Sequence, residues 1–248
     1  MDPFTHFRPS LGLYDAGDPA IVRRHIRAML WGRIRAATYS WWGRGSQTDE
    51  RLAPHLALAA QTPFRFVVYY ELEGYADPSV AEIRADLEYI KETYAPSPGY
   101  LRIGRRFVVF VYGDADDAAG CNVTARWGEA NRGIGAYVVL RSFRGFRSCH
   151  SQPSGWHPYS AHRYEFDLRP YAYSISPGFY FAPDDQPRRR RSLAVWRRSV
   201  QRMVSSRAAF QYVISFNEWG EGTAVEPARE WPSRSGYGTY LDALHAVP

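Results

Sequence analysis

The strongest constraint on the fold is a set of short, nearly continuous apolar runs at residues 64–70, 107–112, 136–140 and 210–216, set between segments of helical period. A strand apolar along its whole length must be covered on both faces, which is the condition of a parallel sheet between helices. A helix is expected over residues 19–31, because Asp18 suits an N-cap, Pro19 the first helical position, and Ile21, Val22, Ile26, Met29 and Leu30 follow helical spacing. Residues 34–40 read as the strand that follows. Residues 78–94 form a second helix with Asp77 as cap and Val80, Ile83, Leu87 and Ile90 on one face. Weaker strands are expected at residues 164–166 and 172–175, and further helices at 192–204 and 237–245. Residues 142–162, rich in Gly, Ser, His and Pro and without a period, read as a long loop. The whole chain, 1–248, reads as a single α/β domain with its sheet open or closed into a barrel.

The formal charge of +6 and pI near 9.4 raise the question of a nucleic-acid partner. Lys91 is the sole lysine, however, and a phosphate-binding surface has no reason to exclude that residue. The basic run from Arg188 to Arg191 reads as a solvated loop entering a helix, so no nucleic-acid partner is expected. Cys121 and Cys149 allow at most one bridge, lack metal-ligand spacing, and read as free thiols. No apolar run approaches the ~18 residues of a membrane span, and the N-terminal residues lack a signal-peptide pattern. The chain as written is expected to be cytoplasmic, or secreted or periplasmic if its start is truncated. Asn122-Val123-Thr124 is a formal glycosylation acceptor.

The densest chemistry lies where the last apolar run ends, at Asn217-Glu218-Trp219-Gly220-Glu221-Gly222-Thr223. In a parallel barrel, reacting groups sit at the C-terminal ends of strands. Two carboxylates three residues apart on a helical turn share a face, and neighbouring acids can hold different protonation states, as glycoside cleavage requires. Trp219 then offers a platform for the apolar face of a sugar. The same residues also match capping boxes, Ser215-x-x-Glu218 and Thr223-x-x-Glu226, so the acids could instead cap a short helix. Other strand ends carry Trp41 and Trp42, Tyr70 and Glu71, and Tyr112, each explicable as packing and together as a substrate surface. Aromatic residues form 16% of the chain, a surplus that suits stacking on sugar rings as well as a core. His150, His157 and His162 read as loop residues within reach of a substrate. Nucleotide-binding, serine-hydrolase and zinc-protease motifs are absent.

The segment Asn217-Glu218-Trp219-Gly220-Glu221-Gly222-Thr223-Ala224-Val225-Glu226-Pro227-Ala228 resembles the signature of glycoside hydrolase family 99, the endo-α-mannosidase group with its bacterial relatives. Leu11-Gly12-Leu13-Tyr14 with Asp18-Pro19, Ser40-Trp41-Trp42-Gly43 and Ser176-Pro177-Gly178-Phe179 follow the same order along the chain. The resemblance implies a (β/α)8 TIM-like barrel that cleaves α-mannosides internally with retention, through a 1,2-anhydro sugar. The strand that opens such barrels has no counterpart among the ten residues before Leu11. Glu218 would take the proton of the sugar 2-hydroxyl, and Glu221 would serve as general acid and then as base for water. Trp41, Trp42, Tyr70, Glu71, Tyr112, Asn217, Trp219, Thr223 and Glu226 are the expected substrate contacts. The partner is an oligosaccharide or polysaccharide, with no cofactor and no metal implied. Gly220 stands where endo-mannosidases tend to carry His, and Ala224 where they carry Gln. A non-catalytic carbohydrate-binding or polysaccharide-assembly role on the same barrel is the alternative.

Overall fold

In the computed structural model, which describes residues 4–113 and 120–247, the first element is helix α1, Pro19–Trp31. It begins as its sequence dictates: the Asp18 carboxylate accepts the Ala20 N–H at 2.7 Å, and Pro19 occupies the first turn, where an N–H would have no helical partner. No strand precedes α1 among the described residues. Instead Pro9 forms an isolated bridge with Ala228, and the Ser10 N–H donates to the Pro227 carbonyl at 2.8 Å.

The chain groups into two units, one made of residues up to Ile34 together with those from Pro158 onward, the other of Arg35–His157. The middle unit runs β1 (Ala36–Trp41), α2 (Gln47–Ala59), β2 (Arg65–Tyr70), α3 (Val80–Thr93), β3 (Arg102–Ile103), β4 (Arg106–Val111), α4 (Gly120–Ala130), β5 (Tyr137–Arg141) and β6 (Gly155–His157). Its sheet has the order β1-β2-β4-β5-β6, parallel throughout, with β3 antiparallel on β4. Phe107–Val111 in β4 and Phe66–Val68 in β2 are buried, as runs covered on both faces must be. The register places Trp41 opposite Tyr70 and Tyr70 opposite Val111. Trp42, Glu71 and Tyr112 therefore follow three adjacent strands at one edge of this sheet.

Three expectations are corrected in this unit, and one helix is added. Helix α3 starts at Val80, capped by a reciprocal Ser79–Glu82 box; Asp77 has φ +46° and cannot serve as the extended cap residue. Helix α2, with Ser46 as N-cap and Leu52, His55, Leu56 and Ala59 buried, was hidden by the internal Pro54. Residues 142–162 are not all loop, since Gly155–His157 adds β6 to the sheet. Cys121 and Cys149 are bonded to each other, with Cα atoms 5.2 Å apart, because α4 and the loop after β5 bring together positions 28 residues distant. Asn122 of the glycosylation triplet lies within α4.

The other unit continues after Pro158 with β7 (Glu165–Leu168), β8 (Ala172–Ile175), α5 (Leu193–Ser205), β9 (Phe210–Val213) and α6 (Gly238–His245). Strand β7 pairs antiparallel with β8, and β8 pairs parallel with β9 through the α5 crossover. Helix α5 is capped by Ser192 and buries Trp196, Val200 and Met203 in a core with Trp219, Trp231, Tyr240 and Leu241. Strand β9 stops at Val213, three residues earlier than its apolar run, and the Ile214–Ser215 peptide that follows is cis. No helix among the described residues is long and apolar enough to cross a membrane.

Candidate active site

Beyond β9 the backbone folds into a closed turn. Ser215 N–H donates to the Thr223 carbonyl at 3.2 Å, Thr223 N–H to the Glu218 carbonyl at 3.3 Å, and Val225 N–H to the Ser215 and Phe216 carbonyls at 3.0 Å each. The Ser215 hydroxyl accepts the Glu218 N–H at 2.8 Å and bonds the Thr223 hydroxyl at 2.8 Å. The acids thus sit on a non-helical turn, and the expectation of a helical turn is corrected. Ser215 does meet the Glu218 N–H as a capping residue would, but it closes a loop. A neighbouring segment supports the turn from outside: Tyr180 N–H donates to the Glu221 carbonyl at 2.9 Å and Ala182 N–H to the Gly220 carbonyl at 2.7 Å. Gly222 takes φ +61°, and a Cβ there would meet the Tyr180 carbonyl oxygen at 2.6 Å, so only glycine fits.

Both acids are held above the usual carboxylate range. Burial among protein atoms raises Glu218, although the residue reaches solvent, and the Gly220 N–H partly opposes the shift. Burial also raises Glu221; the nearby Glu218 charge adds to this, and a hydrogen bond from the Tyr159 hydroxyl at 2.9 Å works against it. Both shifts favour the protonated carboxyl, and the repulsion between the two acids adds to the rise of Glu221.

Glu226 occupies a different environment. It is 1% exposed and accepts from the Tyr14 hydroxyl at 2.7 Å and Trp219 Nε1 at 3.2 Å, with His25 Nε2 3.2 Å away. Burial, followed by the Glu226 charge, pushes the Tyr14 hydroxyl well above its usual value. Trp219 is buried and stacked at 6.0 Å on Trp231, so its ring is packed away instead of forming a sugar platform. Thr223 is fully buried, while Asn217 is exposed and donates to the Tyr14 hydroxyl at 3.4 Å.

The remaining expected contacts belong to the middle unit. Trp41 and Tyr70 are core residues: the indole N–H donates to Asp49 at 2.7 Å and the phenol to Asp86 at 2.9 Å, both on helices. Strand alternation sends these two side chains into the helix layer. Trp42 is 44% exposed and leans on the exposed Tyr75 at 5.0 Å, which in turn stacks on Tyr112 at 6.0 Å. Glu71 accepts the Ser40 hydroxyl at 2.7 Å. His157 is buried in β6 against the Val111 carbonyl, so it does not stand in a loop as expected. His150 lies at the surface of the segment before β6.

Tyr159, His25, Tyr180 and Arg191 escaped the sequence reading. Tyr159 falls in the aperiodic stretch and His25 on an amphipathic helix, where a single polar residue gives no signal; Tyr14 lay within a quoted motif without a role. Among the described residues no cluster of three or more metal-ligating side chains occurs.

A family model described as glycosyl hydrolase family 99 matches residues 2–122, ending before the acid turn. The resemblance to family 99 holds. A glycoprotein endo-alpha-1,2-mannosidase of Xenopus laevis is 21% identical across the full chain, and one of Mus musculus 24% identical over 41% of it. The chain spans 63% and 23% of those two relatives' lengths. Two structures of the family-99 endo-alpha-mannosidase from Bacteroides thetaiotaomicron superpose with TM-scores of 0.74 and 0.77, at 21% identity over 98% of this chain and 82% and 87% of theirs. The fold is accordingly α/β of the (β/α)8-barrel class found in family 99. Among the described residues its strands hydrogen-bond as one six-stranded and one three-stranded sheet.

Proposed function

We propose that this chain is a glycosidase that cleaves an α-mannoside-like glycan internally with retention, using Glu218 and Glu221. The observation that carries this reading is the pair of raised carboxyls on one turn, one of them hydrogen-bonded by Tyr159. The names of the family-99 relatives, endo-α-mannosidases, support the substrate class.

In the first step the Glu218 carboxylate takes the proton of the sugar 2-hydroxyl while O2 closes on the anomeric carbon. Glu221, protonated, gives its proton to the departing glycosidic oxygen. In the second step water adds to the anomeric carbon as the bond from that carbon to O2 breaks, Glu221 takes a proton from the water, and O2 regains its proton from Glu218. Each acid ends as it began.

A non-catalytic glycan-binding role is the second reading. It is favoured by Gly220, which leaves no side chain beside the Glu218 carboxyl where endo-mannosidases tend to carry His. Digestion of a panel of α-mannans and α-glucans separates the two. Product that disappears in Glu221→Gln supports hydrolysis; saturable binding by folded protein without product after long incubation would establish the second reading.

A further inference from the structure

We propose, on the reading that Glu218 and Glu221 carry the chemistry, that Arg191 is the positioning residue of the acid turn, acting through the carbonyls of Gly222 and Ala224. Its guanidinium donates to the Gly222 carbonyl at 2.9 Å and to the Ala224 carbonyl at 2.7 Å. Each carbonyl shares a rigid peptide plane with the N–H of the next residue. The Gly222 plane carries the Thr223 N–H, which bonds the Glu218 carbonyl; the Ala224 plane carries the Val225 N–H, which bonds the Ser215 and Phe216 carbonyls. One side chain thus orients both peptides that close the returning limb of the turn.

The surroundings are built for a guanidinium. Its carbon lies 4.0 Å from the Trp231 ring centre, 4.3 Å from that of Tyr240 and 5.2 Å from that of Phe7. Planar stacking combined with a two-pronged donor set is a property of Arg that Lys cannot reproduce. Room for the stem is kept by Gly178, where a Cβ would meet Arg191 Cγ at 2.9 Å. Burial disfavours the charged form and pulls the guanidinium below its usual value; Tyr240 opposes this most, and the Glu230 charge less, Glu230 being itself paired with Arg8. Among the described residues no ion pair involves Arg191, and its buried Nε–H has no partner. A buried cation that is not ion-paired is costly for stability alone. Holding the geometry of the acid turn gives it a purpose. The expectation that the whole run from Arg188 to Arg191 is solvated is corrected for this last member.

The test compares the wild-type chain with Arg191→Lys and Arg191→Ala on an α-1,2-linked manno-oligosaccharide. Displacement of reacting groups by about 1 Å can lower turnover ~100-fold, so kcat is expected to fall ~10–100-fold while KM stays within about twofold. Free guanidinium added to Arg191→Ala should recover part of the loss, which a purely structural lesion would not allow. Unchanged kcat in both folded variants would overturn the proposal. If the wild-type chain hydrolyses no glycan, the glycosidase reading fails separately, and carboxyl NMR titration decides the role of Arg191. With Glu218 and Glu221 assigned by their Gln variants, altered titration midpoints in Arg191→Lys support the positioning role, and superimposable curves refute it.

Discussion

The Tyr159 hydroxyl donates to Glu221 Oε2 at 2.9 Å, the contact that opposes the burial-driven rise of that carboxyl. A donor to the ionised form favours that form. In Tyr159→Phe the Glu221 carboxyl should therefore rise further. On the proposed reading Glu221 is the general acid and must be protonated to release the leaving group, so activity should decline as pH increases through its pKa. The alkaline limb of kcat/KM against pH is expected to move upward by up to about one unit, near 1.4 kcal/mol. A limb that stays in place or moves down would remove Tyr159 from the acid's control.

Stability should carry the same signature. Folding raises both Glu218 and Glu221 above the ordinary glutamate value. A carboxyl with a raised folded pKa contributes stability that is present below its unfolded value and lost as pH climbs through the folded one. At neutral pH the two acids therefore destabilise the fold. Glu221→Gln should raise the melting temperature at pH 7 by ~2–4 °C, and Glu218→Gln by less, because solvent screens that exposed carboxyl. The gain should vanish below about pH 4. Thermal melts at both pH values check this, and an equal change at each would contradict it.

Glu226 is expected to behave in the opposite way. It accepts from Tyr14 and Trp219 and faces His25 inside the protein. Glu226→Leu leaves those polar groups buried without their acceptor, at a cost of ~1–3 kcal/mol for each one stranded. Urea unfolding should report a loss of ~3–5 kcal/mol. A loss under ~0.5 kcal/mol, the range of an ordinary surface change, would mean that the cluster repacks.

Helix α1 was legible because its signal is local, with Asp18-Pro19 setting its start, and the apolar run before Glu-Trp-Gly-Glu marked the candidate site although not its non-helical turn. Helices α2 and α4 were not, since Pro54 and the run of Gly, Asn and Thr in α4 contradict local propensity and tertiary packing overrides it. Trp41 and Trp42 illustrate a second limit. They are adjacent in sequence, yet one is 0% and the other 44% exposed, because Trp41 ends β1 against the helix layer while Trp42 lies just beyond the strand. Tyr159 and Arg191 act on the turn across 62 and over 30 residues of chain. Such pairings leave no local pattern to read.

The Cys121–Cys149 bridge is another long-range pairing, and it yields a prediction about surroundings as well as stability. It closes a loop of 28 residues by sequence separation and ties the start of α4 to the segment between β5 and β6. Chain-entropy arguments assign a loop of that length about 3–4 kcal/mol of stabilisation. Bridges of this kind persist in oxidising surroundings and are uncommon where glutathione keeps thiols reduced. Cys121→Ser with Cys149→Ser should therefore lower the urea midpoint by that free energy with little change in the slope of the transition. Wild-type protein treated with dithiothreitol should match the double variant. Mass spectrometry under non-reducing conditions should find the two cysteines linked in protein made in an oxidising compartment; two free thiols there, with reductant-insensitive stability, would count against the bridge.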